Sequence, residues 1–147
     1  MLTRIIVLLA LGISVIGAAA AQQKKPDRIK ATKTITAKFV GFEAGDYLHA
    51  IVQRADGERV SFFVQKPGLE YFLALRKDAT LELTYQVVDT FIPEAGDTQT
   101  IERLIAAKAG RRTYASWWKS MRARFTLAQL DTKYGSLVDA ATIKPEP

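Results

Sequence analysis

The sequence predicts a mainly β domain of five strands, with a short helix between the third and fourth, followed by a C-terminal helical segment. Three observations carry this. Between residues 33 and 109, apolar side chains recur at every second position in runs bounded by Gly, Pro and Asp. Asp56-Gly57 stands between two such runs, which is a strong hairpin signal. Beyond Gly110 the period changes, and Tyr114, Trp117, Trp118, Met121 and Phe125 fall within an arc of about 100° on a helical wheel.

The elements follow in order. Arg4, the apolar run Ile5 to Gly17 broken only by Ser14, and the small residues Ala18 to Ala21 read as an export signal cleaved near Ala21. An uncleaved anchor is the alternative, and no Cys follows the run to carry a lipid. Removing 21 of 147 residues leaves 126, the size of one domain. Residues 22–32 are polar, basic and without periodicity, so they are expected to be a flexible leader. The first strand is expected over Lys33–Phe42 with Ile35, Ala37 and Phe39 on one face, and Gly41 marks a bend or bulge. In the second, Tyr47–Arg54, Leu48, Ala50 and Val52 face the core. In the third, Glu58–Val64, Val60, Phe62 and Val64 do so.

Pro67-Gly68 ends that strand, and Leu69–Lys77 has the spacing of a short helix. Thr80–Phe91 forms the fourth strand, with Leu81, Leu83, Tyr85 and Val87 inward. Gln99–Ala107 forms the fifth. The helical segment spans residues 111–141, and Thr126 with Gln129 has capping-box spacing for a new helix there. Gly135 is expected to weaken or end that helix, and 142–147 is expected to be a disordered tail.

Strand, strand, strand, short helix, strand, strand is the element order of an OB-fold, and residues 33–110 resemble that five-stranded Greek-key barrel in architecture. An SH3-like barrel competes, but gives no reason for a helix at Leu69–Lys77. The OB resemblance implies a ligand site on the outer face of strands two and three, bordered by the loops joining strands one to two and four to five. That face would carry Tyr47, His49, Ile51, Gln53, Arg59, Ser61 and Phe63. The loops would be the repeated tetrapeptide Glu-Ala-Gly-Asp, once as Glu43 to Asp46 and once as Glu94 to Asp97, each with Gly supplying the turn. Converging loops would bring four carboxylates together. Alternatively, Ile51 and Phe63 lie beneath the C-terminal helices.

Charge and chemistry limit the function classes. The net charge of +6 is segregated: residues 35–110 carry eleven acidic and eight basic side chains, while both ends are basic. A negative body repels phosphate backbones, so no nucleic-acid partner is expected. The chain has no Cys and one His, His49, so neither a transition-metal site nor a cofactor is expected. No nucleophile motif surrounds Ser61, and no catalytic residue is assigned. The reading is a non-catalytic binding or accessory protein of the bacterial envelope, periplasmic or secreted. Its partner would be an envelope protein or glycan at Tyr47, His49, Arg59, Phe63, Glu43, Asp46, Glu94 and Asp97. An envelope hydrolase using the loop carboxylates is one alternative. The other is attachment to a membrane surface through Trp117, Trp118, Arg122 and Arg124, against docking of that helix on the body.

Overall fold

The alternation read from the sequence folds into a sheet whose two ends meet. The computed structural model describes residues 25–145, so the expected export signal lies outside the described residues. Five strands, β1 (Arg28–Ala44), β2 (Leu48–Gln53), β3 (Arg59–Val64), β4 (Thr80–Ile92) and β5 (Asp97–Ala109), form a ring. Antiparallel pairing joins β3 to β2, β2 to β1, β1 to β4 and β4 to β5; a parallel ladder, Phe63 to Arg103 and Val64 to Leu104, joins β3 back to β5. A two-residue strand, β6 (Arg112–Thr113), edges β5. The helices are α1 (Leu69–Ala74), between β3 and β4, then α2 (Tyr114–Arg124) and α3 (Leu127–Ala141).

β1 serves two neighbours because it is long. Its first half pairs with β4 and its second half with β2, and the register shifts between Phe39 and Gly41. Residues 28–32, expected as flexible leader, are part of this strand. Ala31 pairs with Val87 and Ile29 with Val88. Asp27, just ahead of the strand, fixes its start by accepting from Arg103 Nη1 at 2.6 Å and from Thr90 Oγ1 at 2.6 Å. A basic segment without periodicity is thus ordered by partners distant in sequence.

Inside the ring, Ala37, Phe39, Ala50, Val52, Phe62, Leu81, Leu83, Tyr85 and Leu104 are buried. The β2–β3 connection leaves three residues between the mutually bonded Arg54 and Glu58, with Gly57 at φ 88°, the left-handed position such loops assign to glycine. α1 plugs one end with Leu69, Phe72 and Leu73, all fully buried. Tyr114 and Trp117 of α2 enter the same core, their rings 6.2 and 5.7 Å from that of Phe72. Thr126 and Gln129 form the complete capping box that starts α3. Gly135 does not end this helix, which continues to Ala141 because Tyr134, Val138 and Ala141 hold it to the core. Past its end, Ile143 donates its amide to Phe42 O at 2.7 Å, so Thr142 and Ile143, expected within a disordered tail, lie on β1.

β4 and β5 have 13 residues each, against six in β2 and in β3, and their far halves enclose a second apolar cluster. It comprises Val88, Ile92 and Ile101 with Tyr47 and Phe63 against them. Phe63 is therefore half-buried beneath strands, not beneath helices. Because Phe62 is fully buried, Phe62→Ala is expected to cost about 3–5 kcal/mol in chemical denaturation, and Phe63→Ala clearly less. Gly68→Ala should cost about 1–3 kcal/mol in the same assay, since Gly68 has φ 81° and a Cβ there would overlap the Trp118 ring.

Candidate functional site

The outer face of β2 and β3 gathers the side chains expected there, but not as a uniform surface. Registers of His49 with Phe63, Ile51 with Ser61 and Gln53 with Arg59 set them in cross-strand pairs. The His49 ring stands edge-on to Phe63 at 4.3 Å, and the Tyr47 ring lies 5.5 Å from Phe63 on another side. Three aromatic side chains thus form one half-buried group. Arg59 and Ser61 stay exposed, while Ile51 is only 9% exposed.

Ile51 lies in a cleft of about 280 Å³ lined by Glu43, Ala44, Arg59, Ile143 and Pro145. Residues beyond α3, and not the helices themselves, share this cleft with it. The cleft has an apolar floor between a carboxylate and a guanidinium. It can hold one apolar side chain and pair with a charge on either side.

The two Glu-Ala-Gly-Asp copies differ in structure. Glu43 and Ala44 belong to β1, and Gly45 is not among the glycines of positive φ. In the second copy, Glu94, Ala95 and Gly96 make the turn, Gly96 adopts φ 72°, and Asp97 begins β5. The two connections are linked nonetheless, for the hydroxyl of Tyr47, which follows the first copy, donates to Glu94 Oε2 in the second. That bond raises the Tyr47 hydroxyl above the ordinary tyrosine range and holds the Glu94 carboxyl below the ordinary glutamate range. Asp46 from the first loop and Glu94 from the second both act on this hydroxyl through their charge. Among the described residues, no group of three or more His, Asp and Glu is arranged to hold a metal ion.

The helix residues separate into two groups. Trp117 is buried, and Trp118 is half-buried against Gly68. Arg122 and Arg124 are exposed at the end of α2.

A further group escaped sequence reasoning. Glu70 and Tyr71 of α1 face Asp131, Ser136 and Asp139 of α3 across a cleft of about 380 Å³. The Tyr71 hydroxyl donates to Asp131 Oδ1 at 3.2 Å. Burial, then this bond, pushes Tyr71 up to about 12. Burial likewise raises Glu70, with the Asp131 charge adding to it. Only the packing of α1 on α3 brings these residues together, and no spacing in the chain announces it.

No family model matches the chain, and neither the curated proteins nor the solved structures compared with it give a match. The site is therefore read from its own chemistry.

Because the Glu70 carboxyl is raised in the folded protein, folding binds a proton more readily there than the unfolded chain does. This contribution favours the fold below the ordinary glutamate range and is lost as pH rises through the folded pKa. Glu70→Gln is therefore expected to raise the melting temperature at neutral pH. The gain should disappear in thermal unfolding below about pH 4, where the native carboxyl is also protonated.

Proposed function

We propose that this chain is a non-catalytic binding or accessory protein of the bacterial envelope, exported through its N-terminal apolar segment and engaging a protein partner at the Ile51 cleft. We read the ring as an OB-like Greek-key barrel. The strand order β1-β2-β3-β5-β4, the parallel β3–β5 closure and the helix between β3 and β4 support that reading. In this architecture the outer face of the second and third strands is the customary place for a ligand, and the Ile51 cleft lies there.

The observation that carries the proposal is the size and polarity of the cleft. At about 280 Å³ it lies at the small end of the roughly 300–1,000 Å³ typical of small-molecule sites. It suits one anchoring side chain of a larger partner, with Glu43 and Arg59 at its rim giving orientation. A glycan is served less well. Sugars bind on open aromatic faces, whereas Phe63 is flanked by both Tyr47 and His49.

The hydrolase alternative loses support from the same geometry. A glycosidase needs a carboxyl raised enough to donate a proton. Glu94 is shifted the other way by Tyr47.

Replacing Arg59 by the photo-crosslinking residue benzoylphenylalanine in cells tests the proposal, with Glu82 replaced in the same way as an exposed control on β4. A discrete protein adduct is expected from position 59 and not from position 82. No adduct, or the same adducts from both positions, would refute the partner site. Turnover of a cell-wall glycan that Glu94→Gln abolishes would refute the non-catalytic reading.

A further inference from the structure

The corner between α2 and α3 differs from the outer β face in its charge. Between residues 103 and 130 the chain carries seven basic side chains and no acidic one. α2 docks through Tyr114 and Trp117, which leaves its final turn and the start of α3 facing outward. There Arg122, Arg124, Phe125 and Leu127 surround an open concavity of about 590 Å³. Leu127 is 53% exposed.

The basic groups are held around an apolar centre. Arg124 lies 5.2 Å and Lys133 5.8 Å from the Phe125 ring, and Arg122 lies 5.9 Å from the Trp118 ring. Arg122 Nη1 also donates to Phe125 O at 3.1 Å, which fixes its direction at the corner. Among the described residues, no carboxylate lies within 4.0 Å of Arg122, Arg124 or Lys133 in an ion pair. Asp131, the nearest acid in sequence, accepts from Tyr71 on the α1 side. The corner therefore presents cationic donors without internal neutralisation, and between them an exposed leucine and a half-buried phenylalanine.

We propose that this corner is a docking surface for an anionic lipid bilayer. Arg122, Arg124 and Lys133 would meet headgroup phosphates, while Leu127 and Phe125 enter the interfacial layer. Charge complementarity selects the occupant, and the exposed Leu127 favours a bilayer over a nucleic acid, which offers phosphates but no apolar layer beneath them. The buried Trp117 takes no part. This surface is separate from the Ile51 cleft and does not depend on that cleft having a partner.

The absence of Cys from the sequence permits a local test in the full chain. Ala123→Cys, exposed at the corner, is labelled with an environment-sensitive fluorophore, and Asp56→Cys in the β2–β3 connection serves as the control position. Vesicles of phosphatidylglycerol and phosphatidylcholine are expected to blue-shift the label at 123 and not at 56. Pure phosphatidylcholine vesicles should leave both unshifted. Each Lys or Arg near an anionic surface contributes about fivefold to partitioning, so Arg122→Glu with Arg124→Glu should weaken the response more than about tenfold. Added salt should weaken it as well. Circular dichroism must show that the double variant is folded; if it is not, Leu127→Ser and the salt titration take its place. The proposal fails if the label at 123 responds equally to both kinds of vesicle, if it ignores acidic vesicles, or if folded variants respond like the parent. It also fails if duplex DNA outcompetes acidic vesicles for the corner at equal phosphate concentration.

Discussion

The structure depends on a parallel ladder of two residue pairs. Without Phe63 against Arg103 and Val64 against Leu104, the remaining pairings describe an open sheet with two exposed edges. With the ladder the sheet becomes a ring, and Phe62, Val52, Leu83 and Leu104 face one another across a common interior. Closing a loop of some forty residues for a few hydrogen bonds is costly in chain entropy. The surrounding burial offsets that cost. Leu104 in the ladder and Phe62 beside it are fully buried, and the Arg103 side chain reaches out to bind Asp27 and Gln86.

α1 is the second constraint, and it works through aromatic packing. Phe72 meets Tyr114 and Trp117 on one side and carries the Arg76 guanidinium 3.6 Å over its ring. Trp117 in turn lies 5.9 Å from Tyr134 of α3, and Tyr134 the same distance from Tyr71. Three helices thus share one set of rings, which positions α2 so that its last turn projects beyond the body. The basic corner and the buried tryptophan are two faces of that one placement.

What could be read in the chain was local. Alternation identified Val52, Phe62 and Leu83 as core, Asp56-Gly57 marked the loop between β2 and β3, and Thr126 with Gln129 marked the start of α3. What could not be read was set by residues far apart. Arg28 to Thr32 look like a solvated basic stretch until Val87 and Val88 pair beside them. Phe63 and Ile101 have no visible reason to meet until the long β4–β5 hairpin folds over the outer face. Of the candidate site, the face and its residues were legible. The Ile51 cleft was not, since Ile143 and Pro145 form part of it from the other end of the chain. The repeated tetrapeptide takes two forms that its identical words do not distinguish: the first copy runs from the end of β1 into the β1–β2 bend, and the second makes a tight turn that opens β5.

The bond from Ile143 to Phe42 has a temporal side. Phe42 is synthesised about a hundred residues before the amide that completes its pairing, so a nascent chain cannot make this contact until Ile143 has left the ribosome. β1 must wait in turn for β4, and α1 for the aromatic residues of α2. Topologies ruled by such distant pairings fold slowly relative to helical bundles of similar size.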